Sequence, residues 1–473
     1  MTLSAVDWVI IGIYLVGCVV TGVWMRRYVQ NVEDFAVAGR EMDVHLGIAS
    51  LAATEFGIVT VMYAAEMGFK NGLAGATPGI LECLAFLLVG MTGFVIVPLR
   101  EAGVMTLPEL LQRRFGQRVR WLAGLVVVLG GVLNMGIFLR LGGEFLIHVA
   151  GLDPRLLEVT MTALLVLVLL YTVMGGMLSV LVTDYLQFLV MGLGIVITST
   201  LLVWKTGWTD LLAGLAQAHA ASAAGDRTPG GLILADPFNP LGSYGWAWVV
   251  WQSLLMVAGA VTWQTCIARV LSAKDAQTAK RIYRRTAVFF IGRFTLPGLW
   301  GAAAFLYFWQ AGGLPAGIDT LAAMPAYLNL SALLPVGVLG LLIAAMLAAE
   351  MSTDSGYLLT WATVIYNDLI MPCLGRPPGP WLRLIMVRLL VVALGLFLVF
   401  FGLWYELPGT AWEYISITAT IYLASVFALL VGALYWPMAN RWGAYAALVL
   451  GALGPVTFLL VNRPGAERIA PEV

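Results

Sequence analysis

Charged residues are scarce in this chain. They make up 11% of its 473 residues, whereas an average soluble domain has about 25%. Lys and Arg together number 26, as do Asp and Glu, so the formal net charge is zero, and no basic run or nucleic-acid-binding motif stands out. With 61% hydrophobic residues, the composition excludes an ordinary soluble protein and a nucleic-acid partner. It predicts an all-α polytopic protein that lies in a lipid bilayer.

Cysteine and histidine are also rare, at four and three residues. The cysteines are scattered and three of them lie in apolar runs, which indicates reduced thiols rather than a disulfide framework. No two histidines have the spacing of a helical metal pair, and no nucleophile–base pair stands out. We therefore expect neither an enzymatic activity nor a cofactor.

Long apolar runs dominate the chain instead. A helix of about 20 residues crosses the hydrocarbon core, and on that length we predict about twelve transmembrane helices in a single membrane domain, 1–473. The predicted helices span 5–25, 46–69, 76–99, 121–148, 156–175, 180–203, 245–267, 285–311, 333–366, 383–403, 411–436 and 442–461. The first run carries Asp7 and is long enough to cross, which argues against a cleaved signal peptide.

Arginine and lysine cluster after predicted helices one, three and seven. If every helix crosses, these three loops lie on the same side of the membrane, and basic loops mark the cytoplasmic side. The pattern predicts an integral protein of a bacterial cytoplasmic (inner) membrane with its N-terminus outside.

The helix count suggests an internal repeat. Residues 46–203 and 245–436 each hold five predicted helices, and an odd number makes the second set enter the membrane inverted. The segments 5–25 and 442–461 are then extra N-terminal and C-terminal helices. Transporters of this kind bind their solute where the first helix of each repeat is broken. Thr54-Glu55-Phe56-Gly57 and Trp263-Gln264-Thr265 interrupt apolar runs at the matching places.

Predicted helix nine has the most unusual polar content of the chain. Ala349, Ser352 and Thr353 lie on one helical face, where two hydroxyls and a carbonyl offer the neutral oxygens that sodium prefers. The alternative is that the hydroxyls bond back to carbonyls of their own helix.

Glu350 and Asp354 are spaced by four residues on a neighbouring face of the same helix. Two carboxylates in an apolar helix are costly, so one is protonated, a cation lies between them, or one faces a hydrated vestibule. The sequence leaves these choices open.

Further ionisable residues lie inside other predicted helices. Glu55 and Glu82 suit hydroxyl or amine donors of a solute or a coupling cation, or they form an internal ion pair with a basic residue such as Arg293 or Arg140. Arg293 either binds an anionic group of a solute or neutralises a buried acid. Asp184 is either part of an ion path or a hydrated acid near a helix start.

Several motifs, in order, resemble the sodium/solute symporter family, which includes sodium-coupled proline, sugar, sialic acid, pantothenate and monocarboxylate carriers. The resemblance covers nearly the whole chain. Its motifs are Ala38-Gly39-Arg40, Gly175-Gly176 with Thr183-Asp184 and Gln187, Arg269 with Lys274-Asp275, Ala349 with Ser352-Thr353, Asn367-Asp368-Leu369 and Tyr435-Trp436-Pro437. It implies a LeuT-type fold with a 5+5 inverted repeat.

The resemblance also implies site residues. A sodium ion would bind between helices two and nine, and its ligands would come from Ala349, Ser352, Thr353, Ala52, Ala53, Glu55 and Phe56. A second cation in some members would correspond to Asp184 and Ser355 here. The positions that match solute contacts are Glu82, Trp263, Gln264, Arg293 and Tyr422. Glu350 departs from the family pattern, since apolar residues are common there, and leaves room for a proton.

Together these features predict a secondary active symporter that imports a small polar solute, such as a sugar, amino acid or carboxylate, by alternating access. Sodium would be the coupling ion. Two alternatives stay open: a proton-coupled carrier that uses Glu350, Asp354 or Glu55, and a non-transporting membrane solute sensor.

Overall fold

The computed structural model describes residues 3–28, 32–225, 229–331, 333–374, 378–405 and 410–461. In these ranges the chain is all-helical. Its β pairing there consists of an isolated parallel bridge between Met42 and Ala273. The first ten helices are α1 Ala5–Trp24, α2 Val32–Val37, α3 Val44–Glu55, α4 Ile58–Asn71, α5 Thr77–Thr92, α6 Ile96–Glu101, α7 Leu107–Phe115, α8 Gln117–Met135, α9 Phe138–Ala150 and α10 Leu157–Thr206.

The remaining helices are α11 Trp208–Ala223, α12 Pro240–Tyr244, α13 Trp246–Thr262, α14 Gln264–Ser272, α15 Ala276–Ala311, α16 Ala323–Leu330, α17 Val338–Val364, α18 Pro380–Trp404, α19 Ala411–Tyr435 and α20 Arg441–Val461. A π-helical turn, Ile365–Ile370, continues α17.

Ten helical stretches of the described chain are long and apolar enough to cross a membrane. Two of them, Ile58–Thr92 and Pro154–Thr206, each hold parts of two of the twelve predicted helices. The second stretch reverses at Gly176, where φ is +51°, a conformation that favours glycine. Gly22 of α1 packs against Tyr171 and Ser179, which lie on either side of that reversal.

Both predicted breaks are present. Between α3 and α4, Phe56 and Gly57 have non-helical backbone angles. Between α13 and α14, Trp263 is extended, with φ −62° and ψ 112°. Each break falls where polar residues and glycine interrupt the apolar pattern.

Some predicted boundaries are wrong. Helix three ends at Thr92 rather than at 99, because Gly93 takes a left-handed conformation and caps it. Helix eight starts at Ala276 rather than at 285, because the Asp275 side chain accepts the Thr278 amide at 2.6 Å and caps a longer helix. Helix four is interrupted after Met135, which the apolar pattern did not indicate.

Glycines let the central helices approach closely. Gly68 of α4 lies against the backbone of Gly298 in α15, and Gly301 of α15 lies against Ala65. Small residues at such crossings are typical of membrane helix packing. This contact holds α4, which follows the first break, against α15, which carries Arg293.

Candidate functional site

The first break meets the polar face of α17. The Thr353 hydroxyl donates to the Thr54 carbonyl oxygen at 2.9 Å. Gly57 permits this approach, because a Cβ at that position would overlap the Thr353 side chain. The Glu55 carbonyl accepts the Thr60 hydroxyl at 3.3 Å. Carbonyl oxygens and a threonine hydroxyl are thus brought together in the buried centre of the molecule.

The residues predicted to bind sodium all lie in this region, but they differ in their partners. Ala349, Ser352 and Thr353 are buried on α17, and Ala52, Ala53, Glu55 and Phe56 are buried at the end of α3. Thr353 faces the break, whereas Ser352 donates to Asp184 at 2.6 Å. Neither hydroxyl bonds back to its own helix, which was the alternative interpretation. The Thr54 carbonyl was missed, although it lies between two predicted residues.

Asp184 forms a network that the sequence did not reveal. Its Oδ2 accepts the Ser50 hydroxyl at 2.5 Å and the Thr54 hydroxyl at 3.3 Å, and it lies 3.4 Å from Nη2 of Arg269. Both ion-pair side chains are fully buried. A fixed positive charge therefore already faces Asp184.

Ser355 does not contact Asp184 in this arrangement, since its hydroxyl donates to the Ser352 carbonyl at 3.1 Å. The second cation at Asp184 and Ser355 stays a prediction.

Glu350 and Asp354 are buried without partners. All four carboxylate oxygens lack a hydrogen bond in the described part of the chain. Glu350 lies against Gly142 of α9, where a Cβ would overlap its carboxylate. These two acids are therefore separate from the Asp184 network. Their predicted part in binding a proton or a cation stays a prediction.

A central cavity opens beside the two breaks. It is lined by α3, α4, α5, α8, α9, α13, α14, α15, α17 and α19. Four residues that the sequence placed near a central cavity line it, namely Glu55, Glu82, Trp263 and Arg293. Gln264 and Tyr422 are buried nearby and do not line it.

Arg293 and Glu82 form an ion pair across this cavity. Nη1 of Arg293 lies 2.8 and 3.0 Å from the two Glu82 oxygens. Nη2 donates to the Tyr63 hydroxyl at 3.0 Å and to Thr60 at 3.3 Å. Arg293 was predicted either to bind an anionic group of a solute or to neutralise a buried acid. The geometry shows the second role, because Arg293 pairs with Glu82.

The second break carries the aromatic wall of the cavity. Trp263 donates its indole N–H to the Tyr357 hydroxyl at 2.9 Å and stacks on Tyr422 at a centroid distance of 5.5 Å. The residues that follow it bind Glu55, whose Oε1 accepts the Thr265 hydroxyl at 2.7 Å and the Cys266 thiol at 3.3 Å. The two broken helices are joined directly through Glu55.

Comparisons with known proteins agree with this fold. The family model described as the sodium:solute symporter family matches residues 35–451. The chain is 27% identical to the sodium/glucose cotransporter 4 of Danio rerio, with 95% of this chain and 71% of that protein covered. It is 23% identical to the sodium/sialic acid symporter SiaT of Proteus mirabilis, with 96% and 88% covered.

Solved structures show the same architecture. A substrate-bound, outward-open Na⁺-coupled sialic acid symporter superposes with a TM-score of 0.76 at 19% identity and covers 96% of this chain and 98% of its own. MhsT in complex with L-phenylalanine superposes with a TM-score of 0.54 at 13% identity, over 88% and 98%. These likenesses establish a LeuT-like fold.

Proposed function

The chain belongs to the sodium:solute symporter family, and from this premise we propose that it is a secondary active symporter that imports a small polar solute with a sodium gradient. The observation that carries the proposal is the contact between Thr353 and the Thr54 carbonyl at the break of α3 and α4. It brings neutral oxygens from two separate helices to one buried place. Sodium is the coupling ion in this account, and no other cofactor is required.

The proposed layout is a 5+5 inverted repeat over 46–203 and 245–436, with one extra helix at each end and about twelve crossings in a single membrane domain. The break in each repeat supports it, since Phe56–Gly57 and Trp263 each interrupt the first predicted helix of their set. We place the N-terminus outside a bacterial cytoplasmic membrane, because the basic loops follow helices one, three and seven.

The proposed sodium ligands are Thr353 and Ser352 with the Ala349 carbonyl on α17, and carbonyls from Ala52 to Phe56 on α3. Sodium would bind where Thr353 now donates to a carbonyl, so the hydroxyl would rotate to present a lone pair. Because the ion contacts both helices, it would hold the α3–α4 break against α17. The ion can drive transport only if it binds one conformation more tightly than the other.

Several contacts join separate helices at the end that we place in the cytoplasm. The Met42 amide donates to the Ser272 carbonyl and the Lys274 amide to the Met42 carbonyl, both at 3.1 Å. Arg120 donates to Asp368 at 2.7 Å. These contacts support an outward-facing state, and their release would open the inner side after solute and sodium have bound.

Sodium binding to the purified protein tests the proposal. Binding to the folded state alone raises stability with ligand concentration, so sodium should raise the melting temperature above that in equal potassium. Thr353→Ala should reduce the sodium effect, while Thr363→Ala, whose hydroxyl bonds back to Leu359 of the same helix, should retain it. Equal stabilisation by sodium and potassium would contradict the proposal.

A further inference from the structure

One arginine lies in a lipid-facing helix without an acidic partner. Arg388 belongs to α18, which has the highest mean hydropathy of the ten crossing stretches and is little buried by the rest of the protein. Its Nη2 donates to the Met174 carbonyl at 3.2 Å, and its Nε has no partner in the described chain. The ion pairs of the described ranges all involve other basic residues. A charge in an apolar helix is costly, so Arg388 needs a counter-ion that these residues do not provide.

The guanidinium of Arg388 lies at the depth of lipid headgroups. Met174 comes two residues before Gly176, where the chain of α10 reverses between two crossings. Such a reversal lies at a membrane–water interface. Trp381 is exposed near the start of α18, and exposed tryptophans are typical of that zone. Arg388 therefore starts within the apolar helix and extends its charge to the interface, as long basic side chains do.

Three helices hold this guanidinium in place. α18 carries it, the Met174 carbonyl of α10 accepts from it, and the Phe35 ring of α2 has its centroid 5.9 Å from the guanidinium carbon. Phe35 itself packs against Gly176, where a Cβ would overlap its ring. A guanidinium has five N–H donors, so these contacts orient Arg388 and leave most of its donors for a ligand.

The surface around the reversal is basic. The turn that follows α1 carries Arg26 and Arg27 and packs against α10, and neither arginine has an acidic partner among the described residues. The nearby helix α2 carries Glu33 and Asp34, but Glu33 is paired with Arg40 at 2.8 Å. Even with Asp34 counted, the basic residues outnumber the acids. An anionic group is therefore complementary to this surface.

The surface beyond the guanidinium is apolar. The first half of α10 packs beside α18, since Gly395 lies against Leu165 and Leu169. Next to this contact, Leu170 and Leu389 are exposed. A ligand that suits both regions has an anionic head at the interface and hydrocarbon chains in the membrane.

We propose that Arg388 binds the phosphate of an anionic phospholipid whose headgroup lies at the Gly176 reversal. Arginine N–H groups match phosphate oxygens in pairs, and basic pockets between membrane helices bind anionic headgroups. The acyl chains lie along Leu170 and Leu389. On the orientation proposed above, the lipid belongs to the cytoplasmic leaflet. This site is separate from the proposed sodium site, and the inference does not depend on symport.

Lipid titration of the purified full-length protein in a neutral detergent tests the proposal. Phosphatidylglycerol is compared with phosphatidylcholine of the same acyl chains, and it should raise the melting temperature more. In Arg388→Gln the apparent affinity for phosphatidylglycerol should fall by about tenfold or more, as expected for a lost charge-assisted hydrogen bond. Arg388→Lys keeps the charge and should retain part of the affinity. The control is Arg118→Gln, which removes an exposed arginine of α8 and should bind as the wild type does.

Photo-crosslinking of the wild type makes the test independent of how well Arg388→Gln folds. Phosphatidylglycerol with a photoreactive acyl chain should label peptides that contain Leu170 or Leu389 more than peptides of α20. The proposal is overturned if this labelling is equal, if phosphatidylcholine stabilises equally, or if Arg118→Gln weakens binding as much as Arg388→Gln. Inorganic phosphate that stabilises as well as the lipid would also overturn it, because the site would then bind a free anion.

Discussion

Thr353 on α17 donates its hydroxyl to the Thr54 carbonyl, 2.9 Å away, across the break that separates α3 from α4. The two residues are 299 positions apart in the chain, so this contact depends on how the two halves of the molecule pack. It places a hydroxyl and backbone carbonyls together at a broken helix, and broken helices are where transporters with inverted repeats bind coupling ions.

Gly57 should be essential to that contact. A Cβ in Gly57→Ala would overlap Thr353, so we expect a loss of about 1–3 kcal/mol in stability from overpacking and a weakened sodium effect. Melting temperatures with and without sodium measure both. Gly192→Ala is the control, because nothing lies within 4 Å of its added Cβ. Unchanged sodium stabilisation in Gly57→Ala would argue against this geometry.

Arg269 should be required for folding through its pairing with Asp184. Removal of one member of a buried ion pair leaves an uncompensated charge and costs about 3–5 kcal/mol. We expect Arg269→Met to lower the melting temperature strongly and the double variant with Asp184→Asn to recover part of the loss. A double-mutant cycle measures the coupling, and simple additivity of the two changes would contradict the pairing.

Asp354 should respond differently from Asp184, although both are buried acids. Asp184 accepts hydrogen bonds from three hydroxyls and faces Arg269, so Asp184→Asn removes one member of the buried ion pair and should lower stability by about 3–5 kcal/mol. Asp354 has no hydrogen-bond partner in the described chain, so Asp354→Asn should keep or raise the melting temperature. The comparison fails if Asp354→Asn is the more destabilising of the two.

Trp263 should affect the solute rather than the ion. Its indole N–H donates to Tyr357 and its ring forms part of the cavity wall. Trp263→Leu should weaken solute binding, because it removes the ring face and leaves the Tyr357 hydroxyl without this donor. Sodium stabilisation should persist, since the residue lies at the second break. Loss of sodium binding together with solute binding would contradict the separation of the two sites.

The breaks and the polar face of α17 could be predicted because the chemistry is local. Glu55 and Gly57 interrupt an apolar run, and Ser352 and Thr353 follow one another in a single helix. The reversal at Gly176 is likewise marked by a glycine pair. Each signal is contained within a few residues, so no knowledge of tertiary packing is needed.

The partners of these residues could not be predicted. Arg269 reaches Asp184 only because α14, α3 and α10 pack together, whereas the sequence indicated only a basic loop after predicted helix seven and a family motif with Lys274. Glu82 could have paired with either Arg140 or Arg293, and only the packing of α5 on α15 decides for Arg293. The interruption after Met135 has no proline or polar run to mark it.

Equilibrium binding of radioactive sodium to the purified protein tests the central claim most directly. The account predicts saturable binding that excess unlabelled sodium displaces and potassium does not. In Thr353→Ala the affinity should fall by about tenfold or more, as expected when a polar contact to a charged group is lost, while Thr363→Ala should bind as the wild type does. Unaltered sodium affinity in Thr353→Ala, or no saturable binding to the wild type, would contradict a sodium site at the meeting of α17 with the α3–α4 break.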